Sequence, residues 1–448
     1  MEGLEGLTKE ERAEALAIFQ ALISFKTTSH SAALDGEYTR CADYLVEQLL
    51  KAGLSDVHVI PESLPGKPIV VASLVGEDSS LPGLLLNCHI DVVPVVEADW
   101  TVPAFEGRVD EAKGLVYGRG TQDMKCVCAQ YIVALKKIAR SGRRLKRSLH
   151  VSFVPDEEIG GADGMNVLMQ SDWFSSTGGK VDLVLDEGLA SESDDFSVFY
   201  GERLPWWVFF DSQGNTGHGS RFIEGTAVES AAKIVNRALE YRENQHRLLH
   251  GHLASTAGCS HAVAAGKTLG DVTSVNVTQL QAGMISSDGK PVVNVVPATA
   301  RVGLDVRISP LQSPADVESM LDAWCQEASK DGGAKTAWSF VHANTMKDHA
   351  VTDFSSAEAA PWWHVFSSSL QSRFGISCKP AVFPAATDSR FLRAHGYKAL
   401  GFSPIRRSKI MLHENDEHLL LDVFFEGCDV YLGLLPDLAN FVLPDIKA

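Results

Sequence analysis

The sequence predicts an α/β protein of two domains, one of them inserted into the other. The chain has 448 residues, enough for two or three domains. Up to about Tyr200, short apolar runs alternate with helical segments, which is typical of a largely parallel sheet with helices on both faces. Over residues 201–343 the order becomes strand, helix, strand, strand, helix, strand, which is the split ferredoxin-like unit.

The first domain opens with two helices and continues into alternating strands. Thr8 and Glu11 form a capping-box pattern before the first helix, and Gly53 ends the second. The predicted strands are PIVVASL, GLLLNC, SLHVSFVP and KVDLVLDE, and a helix from about Cys126 to Ser141 lies among them. This segment therefore supplies most of the predicted sheet.

The inserted domain takes its strands from LPWWVFFDS, DVTSVNVTQLQ, ATARVGLDVRIS and TAWSFVHAN. Its predicted helices are GTAVESAAKIVNRALEYRENQ and SPADVESMLDAWCQEAS. A helix in APWWHVFSSSLQSRFG, a strand in KALGFSP and a final helix from about Glu417 then return the chain to the first domain. We predict that residues 1–200 and 344–448 form one domain and residues 201–343 the other.

Composition argues against nucleic-acid and membrane partners. The net charge is −17 and the pI about 5.3, so no basic stripe is available to follow phosphates. No apolar run reaches the roughly 18 residues of a membrane span, and the acidic N-terminal stretch has no apolar core of a secretory signal. The eight cysteines form no C-x-x-C pattern, which predicts free thiols and a cytoplasmic location.

A segment rich in glycine, alanine, serine and histidine runs from Gly251 to Gly270. His250, His252 and His261 lie in or beside it and could suggest a metal site. They have no neighbouring carboxylates in the sequence, so we predict a flexible surface loop.

Several segments place an acidic or imidazole side chain at the end of an apolar strand or in the turn after it. Ligands of open α/β sheets bind in the crevice at the carboxyl ends of the strands, so these groups can converge there. The segments are HIDVVPV with His89 and Asp91, YGRGTQDMK with Asp123, FVPDEEIGG with Asp156, Glu157 and Glu158, VLDEG with Asp186 and Glu187, and MLHENDEH with His413.

The chemistry of this set favours a pair of divalent metal ions. Two imidazoles with several carboxylates, and no cysteine at a strand end, suit zinc and also cobalt or manganese. Two cations neutralise the mutual repulsion of six clustered carboxylates better than one, and these six are Asp91, Asp123, Asp156, Glu157, Glu158 and Glu187. Taken singly, a strand-end histidine is more often structural and an Asp-Glu-Glu run is more often a solvated turn. The ordered combination is far more specific.

Together these motifs resemble the zinc-dependent aminoacylase and carboxypeptidase family of metallohydrolases. The stretches HIDVVPV, GRGTQDMKCV, FVPDEEIGG, LDEGLA, ERLPWWV, GHGSRF, NVVPAT, PAATDSR and ALGFSP carry the resemblance along nearly the whole chain. It implies a catalytic α/β/α sheet domain holding two zinc ions per subunit. It also implies that the inserted ferredoxin-like domain acts as a lid and joins two subunits into a homodimer.

The resemblance also implies the metal ligands. His89 and Glu187 would bind one ion, Glu158 and His413 the other, and Asp123 would bridge the two. Paired catalytic ions lie about 3.5–4 Å apart, a spacing that suits a bridging carboxylate. Cobalt or manganese could substitute for zinc.

Two further roles follow for residues near the ligands. Asp91 would accept the second imidazole N–H of His89 and fix its orientation. Glu157 would be the general base, taking a proton from metal-bound water and passing it to the leaving amine after the hydroxide attacks the amide carbonyl.

Outside the metal set, the resemblance implies an oxyanion donor and three residues for the substrate carboxylate. His218 would reach the active site of the partner subunit and stabilise the developing oxyanion. The family commonly has proline where this chain has Thr216, which affects loop stiffness. Asn294, Arg307 and Arg390 would bind the carboxylate, although each arginine could instead form a surface ion pair.

The expected reaction is hydrolysis of N-acyl-L-amino acids, typically N-acetyl derivatives with neutral aliphatic side chains. A sister activity is the first alternative: a dipeptidase, a carboxypeptidase or an N-acetylornithine deacetylase would use the same metal motifs. A non-catalytic metal-binding scaffold is the second. The presence of both Glu157 and the complete ligand set argues against the scaffold.

Overall fold

The computed structural model describes residues 6–250, 267–330, 334–343 and 345–443. The chain forms two compact units. Unit 1 comprises Met1–Tyr200, Val351–Ala381 and Thr387–Ala448, and unit 2 comprises Gly201–Ala350 and Val382–Ala386. Most of the predicted loop, residues 251–266, lies outside the described residues. Within the described ranges, no helix is both long and apolar enough to cross a membrane.

Two of the described α-helices begin at a capping box. Thr8 and Glu11 form the predicted one at the first helix, and Thr226 and Glu229 form another at the sixth. The helices are α1 Lys9–Ser24, α2 Ala32–Asp35, α3 Glu37–Lys51, α4 Lys125–Arg140, α5 Met165–Gln170, α6 Ala227–Leu249, α7 Pro314–Ala328, α8 Ala360–Phe374, α9 Ser389–Ala394 and α10 Leu421–Asn440.

The strands follow the apolar runs. They are β1 Ser55–Val59, β2 Val70–Leu74, β3 Gly83–His89, β4 Arg108–Asp110, β5 Leu115–Tyr117, β6 Leu149–Val154, β7 Val181–Asp186, β8 Phe196–Glu202, β9 Leu204–Gln213, β10 Gly217–His218, β11 Ser274–Ala282, β12 Val295–Val296, β13 Thr299–Ile308, β14 Lys335–Phe340, β15 Cys378–Phe383, β16 Ala399–Gly401 and β17 His418–Leu420.

The main sheet of unit 1 has the strand order β1-β2-β6-β3-β7-β16-β8-β15. Its centre is parallel, as predicted, because β3 pairs in parallel with β6 and β7, and β16 with β7. Towards the edges β1, β2 and β8 pair antiparallel. The connection over residues 60–69 is too short for the dozen or more residues that a parallel crossover needs, so β1 and β2 form an antiparallel pair.

Strand β3 is buried along its whole length. Leu84 and Leu86 belong to the apolar cluster that also contains Ile132 of α4. Leu85 belongs to a second cluster with Leu168 of α5. Alternate side chains of a strand point to opposite faces, so helices cover β3 on both sides and the run LLL is apolar throughout. The predicted α/β/α arrangement is confirmed.

Unit 2 contains the predicted ferredoxin-like order. Its sheet has the strand order β11-β13-β9-β14, antiparallel at each described pair, and its apolar cluster includes residues of α6 and α7. Alternation along β9 buries Trp206, Val208 and Phe210, while Trp207 faces outward. A separate two-residue pairing joins β10 to β12.

The chain before α10 differs from the sequence prediction. The helix begins at Leu421, not near Glu417, because His418–Leu420 form β17 and pair with Leu115–Tyr117 of β5. The ladder uses the main-chain hydrogen-bonding groups of these residues, so the helix starts only after it. Glu417 is fully buried immediately before the strand.

Candidate metal centre

Three adjacent parallel strands end at one edge of the unit 1 sheet. His89 is the last residue of β3, and Glu187 follows the last residue of β7. Glu157 and Glu158 begin a short 3-10 turn after β6. Since β6, β3 and β7 are neighbours and run parallel, their carboxyl ends bring these side chains to one place.

Two further ligand candidates come from loops. Asp123 lies between β5 and α4, and His413 lies in the loop before β17. The structure brings both to the strand ends. His89, Asp123 and Glu187 form one group whose ligand atoms all lie within 4.8 Å of one another. Asp123, Glu158 and His413 form a second such group.

The carboxylate of Asp123 is shared between the two groups. Its Oδ1 lies 3.0 Å from His89 Nε2, which is also 3.6 Å from Glu187 Oε2. Its Oδ2 lies 3.5 Å from His413 Nε2, which is 3.1 Å from Glu158 Oε2. One oxygen therefore faces each group, which is the arrangement expected of a carboxylate that bridges two ions.

The glutamate carboxyl groups of the centre have raised pKa values, which is typical of a site that binds cations. Burial, followed by the charge of Glu187, raises the pKa of Glu157 well above its ordinary value. Burial and the charge of Asp123 raise the pKa of Glu158 to about 7. Burial likewise raises the pKa of Glu187. Burial and mutual repulsion therefore favour the protonated forms of these carboxyl groups, and divalent cations can replace protons at such sites.

The neighbouring carboxylates raise the pKa of both imidazoles. Hydrogen bonds with Asp123 and Glu158 raise the pKa of His413 to about 10. Burial opposes the charged form of His89, but Glu187 and Asp123 outweigh it and raise its pKa. Although burial raises the pKa of Asp123, its hydrogen bonds with His413 and His89 lower it below the ordinary value. The oxygen and nitrogen donors fit two divalent ions.

Asp91 connects the imidazole of His89 to the turn that carries the glutamates. Its Oδ1 accepts the main-chain N–H of Glu157 at 3.1 Å, and its Oδ2 accepts that of Glu158 at 3.1 Å and the hydroxyl of Ser29 at 3.0 Å. His89 Nδ1 lies 3.0 Å from the Asp91 main-chain oxygen and 3.5 Å from its Oδ1. The nearer acceptor for the imidazole is therefore the main chain.

The residue before the two glutamates holds the turn from the other side. Asp156 has a positive φ of 64°. Its Oδ1 accepts the hydroxyl of Tyr38 at 2.8 Å, and its Oδ2 accepts the ammonium of Lys67. An aspartate tolerates this left-handed conformation better than most residues do. Asp156 therefore contributes to the turn and not to either metal group.

Arg390 lies in unit 1, in helix α9. Its Nη2 donates to the main-chain oxygen of Gly160 at 2.8 Å, and its guanidinium carbon lies 4.8 Å from the centre of the Phe391 ring. Its positive charge is one of those that lower the pKa of Glu157. Arg390 therefore lies close to the glutamate turn.

The other predicted residues lie in unit 2. His218 and Asn294 lie on adjacent segments, since His218 pairs with Val295 and Gly219 donates its main-chain N–H to the oxygen of Asn294 at 2.7 Å. The imidazole of His218 is exposed, with Nδ1 2.8 Å from the Ser220 hydroxyl. Arg307 forms a forked ion pair with Asp305 at 2.7 and 3.1 Å, the alternative left open by the sequence.

A buried polar network around Asp186, the residue before Glu187, was not predicted from the sequence. Asn87 Nδ2 donates to Asp186 Oδ1 at 3.0 Å and lies 3.4 Å from Asp388 Oδ2. Ser152 donates to Asn87 Oδ1 at 2.7 Å, and Ser389 donates to Asp186 Oδ2 at 2.7 Å. The signals were present: Asn87 is the polar residue in GLLLNC, and Asp388 stands beside Arg390 in PAATDSR.

The fold and the site together define a two-unit α/β protein with a candidate binuclear metal centre. Residues 85–437 match the model of peptidase family M20/M25/M40. The chain belongs to this family, and the resemblance predicted from the motifs is confirmed.

Individual relatives extend the match. Aminoacylase-1 of Dictyostelium discoideum is 40% identical over 429 residues, covering 95% of this chain and 98% of that protein. Aminoacylase-1 of Mus musculus is 39% identical over 406 residues, covering 90% and 91%. A solved structure of the Bacillus subtilis YXEP protein, described as a dinuclear metal-binding peptidase, is 13% identical with a TM-score of 0.63, covering 97% and 99%. That last likeness concerns the fold.

Proposed function

We propose that the chain is a zinc-dependent amidohydrolase that converts N-acyl-L-amino acids, typically N-acetyl derivatives with neutral aliphatic side chains, to a carboxylate and a free L-amino acid. The observation that carries the proposal is the Asp123 carboxylate shared between two ligand groups. The activity itself comes from the similarity to Aminoacylase-1, which extends over 95% of the chain.

The proposed ions are two Zn²⁺ per subunit, with Co²⁺ or Mn²⁺ as substitutes. His89 and Glu187 would hold one, Glu158 and His413 the other, and Asp123 both. Two such cations would supply Lewis acidity to the amide carbonyl and acidify the attacking water.

The remaining chemistry belongs to the side chains of the chain itself. Glu157 takes the proton of the attacking water and delivers it to the nitrogen of the leaving amine. In the protein without metal, burial and then the charge of Glu187 raise the pKa of Glu157, so the folded chain favours proton uptake at this carboxyl group. Asp91 fixes the main chain of Glu157 and the ring of His89, which keeps base and ligand in one arrangement.

Unit 2 is proposed to complete the active site of a partner subunit in a homodimer. His218 would donate to the oxyanion that develops on the carbonyl oxygen. Its exposed imidazole on a loop fixed by the β10–β12 pairing supports this role. Asn294, Arg307 and Arg390 would bind the substrate carboxylate, and Arg307 would have to leave Asp305 or share it.

Two further assignments accompany this proposal. Unit 1, predicted from the sequence as residues 1–200 and 344–448, would be the catalytic domain, and unit 2, predicted as residues 201–343, would be the lid and dimerisation domain. Unit 2 of the structure also includes the chain up to Ala350 and Val382–Ala386. The location is cytoplasmic, which agrees with the free state of every cysteine that the structure describes.

The test is release of free amino acid by zinc-loaded protein, with a chelator-treated control. The substrates are N-acetyl-methionine, N-acetyl-aspartate, N-acetyl-ornithine and a simple dipeptide. Zinc-dependent preference for N-acetyl-methionine is expected. Preference for N-acetyl-ornithine or the dipeptide would move the function to a sister hydrolase, and no cleavage by protein that holds two ions would favour a scaffold.

A further inference from the structure

The loops that carry Asp123 and His413 are joined by a buried ion pair that the proposed reaction does not use. Arg119 Nη1 lies 2.7 Å from Glu417 Oε2, and the two side chains are 3% and 0% exposed. Arg119 belongs to the loop before α4, and Glu417 to the loop before β17. The pair therefore connects segments almost 300 residues apart in sequence.

The carboxylate of Glu417 holds the main chain of the Asp123 loop. Its Oε2 accepts the N–H of Gly120 at 3.1 Å, and its Oε1 accepts that of Gln122 at 2.6 Å. The N–H of Asp123 itself lies 3.4 Å from Oε1. The hydroxyl of Thr121 donates to Oε1 at 3.3 Å. One buried anion thus fixes the backbone up to the shared metal ligand.

Arg119 makes hydrogen bonds to the main chain of the His413 loop. Its Nη1 donates to the oxygen of Glu414 at 3.2 Å, and its Nη2 donates to the oxygen of His413 at 3.4 Å. Each charged side chain therefore binds its counterpart and also the backbone of the opposite loop. A pair that served only to neutralise charge would not need these contacts.

The location of the pair matters because the two metal groups are built differently. His89 and Glu187 stand at the ends of β3 and β7, where the sheet ladder fixes them. His413 stands in a loop without such a ladder and has a positive φ of 61°. The distance between His413 and Asp123 therefore depends on the contacts between their two loops, which include those of Arg119 and Glu417.

We propose that Arg119 and Glu417 are positioning residues that set the separation of Asp123 and His413, and so control the affinity of the Asp123–Glu158–His413 group for its cation. This inference rests on the metal centre of the proposed function. The His89–Asp123–Glu187 group depends on the pair only through Asp123. Loss of a residue that orients a metal ligand lowers metal affinity by about 10–100-fold.

The test compares zinc retention in three variants. Zinc-loaded protein is mixed with increasing concentrations of a chelator, and the number of zinc ions that remain bound per subunit is measured. Fitting these data gives one affinity for each of the two ions. Arg119→Lys keeps the positive charge, but a single ammonium cannot reach Glu417 and both carbonyls of the His413 loop. We expect this substitution to lower the affinity for one zinc ion by about 10–100-fold and to leave the affinity for the other near the wild-type value.

Glu417→Gln removes the charge and replaces one of the two acceptor oxygens that hold the Asp123 loop with an NH2 donor. The affinity for both ions should therefore fall, and the affinity for the ion at His413 should fall more. Asp182→Asn is the matched control. It breaks another ion pair of unit 1, that of the buried Arg147 with the partly buried Asp182 at 2.7 Å. This pair lies near the start of β7 and not at the metal end of the strand. The substitution should lower the unfolding temperature and leave both zinc affinities unchanged.

The outcomes separate this inference from the proposed function. Wild-type protein that binds fewer than two zinc ions would contradict the metal centre itself. If the wild type binds two zinc ions and both Arg119→Lys and Glu417→Gln retain them as tightly as the wild type does, the positioning role is overturned. Losses of zinc affinity no greater than that of Asp182→Asn would also overturn it, because the pair would then act only on stability.

Discussion

Asp91 Oδ1 accepts a hydrogen bond from the main-chain N–H of Glu157 at 3.1 Å. The proposed base is thereby tied to the residue that also orients His89. The carboxylate of Asp91 holds the turn that carries Glu157, and its main-chain oxygen lies 3.0 Å from the imidazole of His89.

Glu157→Gln should abolish most turnover without removing zinc. The amide keeps the shape of the side chain but cannot accept a proton, and general bases contribute about 10²–10⁴-fold to rate. The measurement is kcat on N-acetyl-methionine together with the zinc content. Glu10→Gln, an exposed position on α1, is the control and should behave as wild type. Near-normal turnover by Glu157→Gln would show that another group is the base.

Asp91→Asn should lower both zinc affinity and kcat by about 10–100-fold. An asparagine offers one acceptor oxygen, so it cannot accept the main-chain N–H groups of both Glu157 and Glu158. Ser29→Ala, which removes only the hydroxyl donor to Asp91, should have a smaller effect. Equal effects of the two substitutions would contradict the anchoring role of the carboxylate.

His218→Ala should lower kcat by about 10²–10³-fold, as loss of an oxyanion donor does, and leave zinc content unchanged. If His218 acts in the site of the partner subunit, mixing His218→Ala with Glu157→Gln subunits restores partial activity. The mixed dimer then has one site with both residues intact. Absence of recovery in mixtures whose subunit exchange is verified would place His218 in its own subunit's site or outside catalysis.

Zinc should stabilise the protein more at about pH 8 than at about pH 5. Without metal, Glu158 has its pKa raised to about 7 and His413 to about 10. Both bind protons more tightly when folded, so their stabilising contribution is present at low pH and is lost as pH rises through those values. Zinc replaces the protons. The measurement is the zinc-induced rise in Tm at both pH values, and a larger rise at low pH would contradict the assignment.

Leu85→Ala should lower the free energy of unfolding by about 2–5 kcal/mol, because β3 is buried on both faces and the cavity cannot collapse fully. Leu34→Ala is the control, since Leu34 is 89% exposed. Urea unfolding of both variants gives the comparison. A cost for Leu85→Ala no larger than that for Leu34→Ala would mean that β3 is not a central strand.

Much of unit 1 could be predicted because its signals are local. The capping box at Thr8 and the apolar run of β3 each describe the environment of a short segment. Strand direction at the sheet edge is not local, and β1 and β2 pair antiparallel where a largely parallel sheet was expected. The start of α10 was also misplaced, because pairing with β5 draws His418–Leu420 into a strand.

Periodicity and side-chain chemistry are properties of short segments, so they were enough to predict the candidate ligand residues and most of the helices and strands of both units. The packing of strands and loops was needed to show that the two oxygens of Asp123 face different ligand groups and that Glu417 holds the backbone of the Asp123 loop. Glu417 and this loop are almost 300 positions apart in sequence, and their distance depends on how the chain packs in three dimensions.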